Sequence, residues 1–278
     1  DYRFTRHLSS LVCHVPYDYK ISAEPYSYDH LLHNIAWKLF YPNREHKQDA
    51  EMLSRNKGLN VLVTGYPLVD ELLHPYPGCD PWRNNSKKRI IWAPHHSINH
   101  DDLFDYSTFL EIAEFMTALS IRYKDTCEFA FKPHPVLKSK LYEQEDWGKE
   151  KTDRYYRYWK TAANTSLSEG RYIDLFLHSD ALLHDCSSFT VEYLCTLKPV
   201  LYLNNHMHGL TDFGAKAYGC HYKPAGVEDI ENFIIDVVMN NRDDMKNQRK
   251  DFVRDYVWPP HGKTASENIY DALTTTLL

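Results

Sequence analysis

The stretch Ala181 to Asn204, ALLHDCSSFTVEYLCTLKPVLYLN, limits the folds open to this chain more than any other. Ala181-Leu182-Leu183 is an apolar run entering the polar turn His184-Asp185-Cys186-Ser187-Ser188, and Val200-Leu201-Tyr202-Leu203 is a second apolar run. Between them, Phe189 to Leu197 reads as a short helix that Lys198-Pro199 ends, since proline offers no N–H and disfavours helix in the residue before it. Short apolar runs bounded by turns suit strands buried on both faces of a parallel sheet. The two serines fall where the helix begins. Backbone N–H groups, hydroxyls and the positive end of the helix dipole converge there, and that combination suits a phosphate. Glu192 lies four residues after Ser188, can share the serine face and can accept hydrogen bonds from a ribose diol. The competing reading is an ordinary serine N-cap with a solvated glutamate.

Other stretches repeat the strand-then-polar-turn pattern. Arg89-Ile90-Ile91-Trp92-Ala93 runs into Pro94-His95-His96, and Phe129-Ala130-Phe131 runs into Lys132-Pro133-His134-Pro135. The prolines on either side of His134 stiffen its loop. Adjacent histidines on a strand point to opposite faces, so one of His95 and His96 is expected to face the ligand side. Helices are expected over 103–123, 137–163, 172–178, 227–239, 243–256 and 265–275, alternating with the strands. Such alternation gives a doubly wound parallel α/β sheet with ligands at the carboxyl ends of the strands. Upstream, Leu8 to Val15 and Leu59 to Thr64 read as strands and Lys47 to Lys57 as a polar helix, while His30 to Phe40 is ambiguous. The Pro/Asn/Ser-rich segment from Pro77 to Lys88 reads as a linker or surface loop, dividing the chain into domains 1–76 and 77–278.

Composition excludes several function classes. The formal net charge is −6, so nucleic acid is not an expected partner. Cysteines 13, 79, 127, 186, 195 and 220 show no CxxC pair and read as reduced thiols of a cytosolic protein. His100-Asp101-Asp102 could hint at a metal, but there is no HExxH or paired-Cys spacing, and no metal is expected. No apolar run reaches the ~18 residues of a membrane span, and no signal peptide is visible.

Taken in order, Gly65-Tyr66-Pro67-Leu68-Val69-Asp70, the Trp92-Ala93-Pro94 turn, Lys132-Pro133-His134-Pro135, Asp185-Cys186-Ser187-Ser188 with Glu192, and Gly262-Lys263-Thr264-Ala265-Ser266 resemble the CDP-glycerol glycerophosphotransferase family. That family comprises teichoic-acid polymerases and primases and their capsule-polymer relatives. The resemblance implies a GT-B-like fold of two Rossmann-like domains, the first incomplete here because the chain begins at Asp1 without a clear first βαβ unit. It implies transfer of an alditol phosphate, glycerol phosphate foremost, from a CDP-alditol to a hydroxyl on a cell-surface polymer or its lipid-linked primer, releasing CMP. Pro94, His95, Lys132, Pro135, Asp185, Ser187, Ser188 and Glu192 are implied to bind the nucleotide and its phosphates, and His134 to act on the transferring phosphoryl group. The family's Trp-His-Gly-Thr-Pro-Leu-Lys run corresponds to Cys13-His14-Val15-Pro16-Tyr17-Asp18-Tyr19-Lys20. His14, Pro16 and Lys20 are kept and the Trp and Gly are not. The implied role of His14 is general base, suited by an unperturbed pKa near operating pH. Cys186 stands where the family has Tyr.

No cofactor is required by that chemistry, because helix N–H groups can neutralise the leaving group. The implied location is cytoplasmic, peripheral on the inner face of the cell membrane. The stretch 149–163 suits such docking through Lys151, Arg154, Arg157 and Lys160: Lys149, Arg154, Arg157 and Lys160 can line one side of a helix, with Tyr155, Tyr158 and Trp159 packed on the sheet. That basic side suits an anionic polymer or an anionic membrane, and a merely solvated helix face is the competing reading. Two further functional readings stay open. One is a GT-B nucleotide-sugar glycosyltransferase or epimerase, the other a non-catalytic binding module. Glycerol versus ribitol, primase versus polymerase and oligomeric state are not encoded in any of these motifs.

Overall fold

Short parallel strands, each followed by a helix or a polar loop, build both halves of the computed structural model, which describes residues 10–22, 27–75, 78–98, 106–204 and 209–277. Two compact units emerge. The first comprises 1–76, 208–219 and 250–278, and the second 77–207 and 220–249.

In the first unit, β1 (Cys13–His14), β2 (Lys38–Tyr41) and β3 (Val61–Val63) pair in parallel in the order β1-β2-β3. Helix α1 (Leu31–Ile35) precedes β2, so the ambiguous 30–40 segment resolves into a helix and then a strand. Helix α2 (Arg44–Leu53) starts at Asn43, whose side chain accepts from the His46 N–H. It begins and ends a few residues before the expected polar helix. Helix α3 (Pro67–Leu73) opens with proline at its first position, where no N–H is needed.

The expected domain 77–278 is not the division found, because two later segments pack into the first unit. Helix α9 (Asp212–Gly219) brings Phe213 into a stack on Tyr19, with ring centroids 5.6 Å apart. At Gly214 an added Cβ would lie 2.1 Å from the Ile21 carbonyl oxygen, so only glycine fits. The C-terminal helix α12 (Ala265–Leu277) returns to α3. Asp70 accepts from the Ala265 N–H at 2.8 Å, the Ser266 N–H at 3.0 Å and the Ser266 hydroxyl at 2.8 Å. Thr264 and Glu267 complete a capping box at the same helix start. Gly65 has φ +89°, and a Cβ there would sit 2.7 Å from Pro259 and 2.9 Å from Ala265. The Gly65–Asp70 and Gly262–Ser266 motifs are therefore two sides of one packing contact.

The second unit holds β4 (Lys88–Ala93), β5 (Cys127–Phe131), β6 (Thr165–Leu167), β7 (Ala181–His184) and β8 (Val200–Tyr202) in a parallel sheet of order β6-β5-β4-β7-β8. The sequence reading missed β6, a short polar edge strand. Helices α4 (Phe109–Arg122), α5 (Leu137–Glu143), α6 (Gly148–Thr161), α7 (Ile173–His178), α8 (Phe189–Glu192) and α10 (Val227–Asn232) complete the doubly wound layers, and α11 (Lys246–Phe252) spans the end of this unit. Residues 103–105, expected to begin α4, lie outside the described residues, as does Leu8. A 3-10 turn, Tyr193–Thr196, continues α8 toward the proline stop. Trp92 stacks on Phe131 at 5.0 Å and on Phe109 at 5.6 Å, and Trp159 of α6 closes on Phe131 at 5.3 Å. Each such ring contributes about 1.5–3 kcal/mol by leaving water. The 78–87 part of the expected linker is instead anchored: the buried Glu128 carboxylate accepts from the Arg83 and Asn84 N–H groups at 3.1 and 3.0 Å.

Replacing Asp70 with alanine strips α12 of its remote cap. The expected loss is about 1–2 kcal/mol of stability, read by denaturant unfolding, with the secondary structure unchanged. An unaltered midpoint would mean that the cap carries no weight.

Candidate functional site

The strand order of the second unit reverses between β4 and β7, and ligands of open parallel sheets bind at such a reversal, outside the carboxyl ends of the strands. The turn after β4 supplies His95 and His96, the turn after β5 supplies Lys132 and His134, and the turn after β7 supplies Asp185 to Ser188. The predicted residues therefore meet on one edge of one sheet. Asp185 does not face that edge. Its side chain is fully buried, accepting from the His95 N–H at 2.5 Å, the Thr108 N–H at 2.8 Å and the Thr108 hydroxyl at 2.9 Å. Burial pushes its pKa up to about 6 against those hydrogen bonds. Its contacts in the structure are those of a brace that fixes the His95 turn. Pro94 is likewise buried, and its carbonyl accepts from the His134 N–H at 3.1 Å, while Pro135 is exposed. Cys186 turns inward, its thiol directed at the Ala93 carbonyl 3.2 Å away.

His95 and His96 follow the last residue of β4, so strand alternation does not separate them. Their ring centroids are 4.2 Å apart, and His134 lies 4.2 Å from His96 and 5.3 Å from His95. Sequence reasoning placed His95 among the nucleotide contacts and expected only one of the pair to face the ligand side, whereas both rings lie beside His134. Ring nitrogens of the three lie within 4.8 Å of one another, a spacing that a metal ion could exploit. The tautomers favour a different ligand. The Ser97 N–H donates to Nδ1 of His95, and the Val136 N–H donates to Nδ1 of His134, both at 3.2 Å. A neutral ring whose Nδ1 accepts carries its proton on Nε2, as a donor. A metal bound through Nε2 would move that proton to Nδ1, against a backbone N–H. Two donors fixed by backbone suit phosphate oxygens, whereas the three-imidazole set fits a metal only at the cost of both hydrogen bonds. His100, Asp101 and Asp102 lie outside the described residues.

Ser187 and Ser188 are half-buried at the start of α8, and the Ser188 hydroxyl does not cap the helix. Glu192 does not lie on a solvated face. It is 1 % exposed and accepts from the Tyr172 hydroxyl at 2.7 Å. Lys132 is buried with its ammonium 5.8 Å from the Tyr172 ring centroid, and burial lowers its pKa. Tyr172, a residue with no motif around it, thus touches two of the predicted ligand contacts.

The first unit has its own pocket, about 290 Å³, lined by His14, Asp18, Lys20, His33, Tyr41 and His46 among others. His14 ends β1, half-buried, with its ring edge-on to His33 at 6.0 Å. Burial and then the Lys20 charge lower its pKa, opposed by Asp18. His46 is locked at both nitrogens, accepting from the Lys20 N–H at 2.9 Å and facing Asn43 Oδ1 at 2.6 Å. It therefore holds the Lys20 backbone in place.

On α6 the aromatic side packs as expected, with Tyr156 also in the core. Lys151 lies 4.7 Å from the Trp147 ring centroid and 3.7 Å from Glu114. Arg154, Arg157 and Lys160 are exposed, and the two arginines line a surface depression of about 470 Å³ with Lys149, Glu150 and Asp153. The basic face is thus interrupted by two carboxylates.

Burial holds His134 and His33 down to about 4 and His46 to about 3. Between those values and the ordinary ~6.5 the unfolded chain binds more protons, so stability is full above about pH 6.5 and falls as pH drops toward about 4. The drop in melting temperature from about pH 7 to about pH 5 is expected to be smaller for His134→Gln than for the parent. An equal drop in both would show that His134 does not titrate in this window.

Comparison with known structures gives the same architecture. The chain is similar to Staphylococcus aureus MnaA in complex with UDP, with a TM-score of 0.59 and 16 % identity over 99 % of this chain and 71 % of that one. It is similar to the wall teichoic acid polymerase TagF, with a TM-score of 0.57 and 16 % identity over 96 % of this chain and 69 % of that one. A TagF variant soaked with CDPG matches with a TM-score of 0.52 and 17 % identity over 88 % of this chain and 60 % of that one. These likenesses establish a GT-B-like fold. The chain spans 60–71 % of the length of these three relatives. No curated protein sequence matches it. The family model for CDP-glycerol:poly(glycerophosphate) glycerophosphotransferase matches residues 17–275, and the chain belongs to that family.

Proposed function

We propose that the protein transfers glycerol phosphate from CDP-glycerol to a hydroxyl of a cell-surface polymer or of its lipid-linked primer, with release of CMP. The observation that carries this reading is the convergence of His95, His96 and His134 at the sheet reversal, two of them held by backbone as Nε2–H donors. Family membership and the likeness to TagF, one variant of which was soaked with CDPG, support the donor.

The acceptor oxygen attacks the β-phosphorus, the bond to the bridging oxygen breaks, and CMP leaves with the electron pair. Negative charge grows on the bridging and non-bridging oxygens. The imidazole N–H groups, the Ser187 and Ser188 hydroxyls and the N–H groups at the start of α8 are the proposed donors to it. Such preorganised donors contribute most to phosphoryl transfer, which needs positioning and charge stabilisation more than covalent help. Lys132 adds positive charge, and Glu192 is assigned to the ribose. His14, neutral at operating pH because burial and Lys20 lower its pKa, is assigned as the base that takes the acceptor proton. The donor set supplies the stabilisation without a cofactor.

The protein is assigned to the cytoplasm, peripheral on the inner face of the cell membrane. Among the described residues no helix is long and apolar enough to cross a membrane. The exposed Arg154, Arg157 and Lys160 of α6, with Lys151, suit a weak, salt-sensitive attraction to an anionic polymer or lipid surface.

Calorimetry with CMP, CDP, UDP and GDP separates this reading from a nucleotide-sugar enzyme, which the likeness to the UDP-bound MnaA keeps in view. Cytidine nucleotides are expected to bind most tightly; preference for UDP would reverse the assignment. With the full-length protein and CDP-glycerol, His134→Ala is expected to lower turnover about 10²-fold with the fold retained. Normal turnover by the folded variant would make His134 a structural residue.

A further inference from the structure

A second imidazole shares the pocket of His14. Helix α1 opens on His30, and the His30 N–H donates to Nδ1 of His33 at 3.2 Å. His33 thus stands at the helical position where a glutamate or glutamine ordinarily reaches back to the N-cap in a capping box. Its own carbonyl accepts from the side-chain amides of Asn56 at 3.0 Å and Asn60 at 2.9 Å, which pins the backbone that carries the ring. Burial, and then the neighbouring His14, hold the His33 pKa down to about 4, so the ring is neutral near neutral pH. A neutral imidazole whose Nδ1 accepts is protonated on Nε2, as a donor. Among the described residues no hydrogen bond engages that Nε2, and His33 lines the same pocket of about 290 Å³ as His14, Asp18 and Lys20. The His14 and His33 rings stand edge to face, with centroids 6.0 Å apart. An oxygen within hydrogen-bond reach of both rings needs nitrogens about 4–5 Å apart, which that separation accommodates. His14 brings a nitrogen that accepts and His33 one that donates. Together they complement a single alcohol, which has one proton to give and lone pairs to share.

We infer that His33 binds the acceptor: its Nε2–H donates to the oxygen of the attacking hydroxyl and turns that hydroxyl's proton toward His14. This rests on the proposed role of His14 as the base. The ligand class is an alcohol of the acceptor. His33 takes up no proton and forms no bond to phosphorus; the proton passes to His14, and the oxygen attacks with the electron pair left behind. A hydrogen bond made before attack and kept through it stabilises ground and transition states alike, so it acts on the acceptor KM and not on kcat.

The test is CMP release from CDP-glycerol by the whole chain, with a synthetic glycerol phosphate oligomer as acceptor, read on the alkaline side where His14 is neutral in every variant. His33→Gln offers an oxygen to the His30 N–H and an N–H to the pocket, and is expected to match the parent. His33→Glu keeps the capping oxygen and offers no donor, and His33→Met offers neither. Both are expected to raise the acceptor KM about 10-fold, with kcat within about twofold of the parent and the KM for CDP-glycerol unchanged. A parental acceptor KM in His33→Glu would show that His33 only caps its helix, and would overturn the inference. His14→Gln tests the reading beneath it and is expected to lower kcat about 10²-fold. Parental turnover in that variant would remove His14 as the base, and the inference with it. If His14→Gln is impaired while His33→Glu keeps the parental KM, only the inference about His33 falls.

Discussion

A buried carboxylate at the sheet reversal determines what the second unit can present to a ligand. Asp185 ends the crossing from β7 and takes donors from the turn after β4 and from the start of α4. Left unpaired, such a group would cost several kcal/mol, and its hydrogen bonds offset that cost only while both turns hold their shape. The carboxylate therefore joins three segments at the point where the strand order changes direction. The His95 backbone is fixed by it, and the Ser97 N–H and hydroxyl both face Nδ1 of the His95 ring. An acidic residue can thus shape a strand-end site without facing it.

The same economy governs the histidines. Rings buried among one another resist protonation, as the lowered pKa of His134 shows. On the proposed reading His95 and His134 serve as donors with a direction set by the backbone. That arrangement suits a transfer in which charge appears only in the transition state, because the donors need no rearrangement when it does. The first unit uses a related device for another purpose. His46 is spent on holding Lys20 in place, and His14, the proposed base, stays half-buried.

The apolar runs of β4, β5 and β7 were legible because strands buried on both faces leave no polar alternation, and their turns were legible because each begins with proline or a charged or hydroxyl residue. The elements that escaped have physical reasons. Strand β6 is a short edge of Thr165-Ser166-Leu167, with no apolar period to mark it. Helix α9 carries glycine and alanine because Gly214 must approach the Ile21 carbonyl, and that composition hides a helix. The return of the C-terminus to the first unit depends on Asp70 reaching residues nearly two hundred positions away, which no local pattern records. The nearness of both His95 and His96 to His134 and the three-ring packing of Tyr172 were not legible for the same reason. Glu192 was legible as a ribose candidate, but its burial beneath Tyr172 was not.

The central claim is that His95 and His134 meet the nucleotide phosphates as neutral rings protonated on Nε2. Long-range proton–nitrogen correlation spectra of histidine-labelled protein, recorded with and without CDP, test it most directly. The account predicts the Nε2–H tautomer for both rings near neutral pH and a shift of both Nε2 signals as CDP is added. Rings protonated on Nδ1, or Nε2 signals unmoved at saturating CDP, would contradict it.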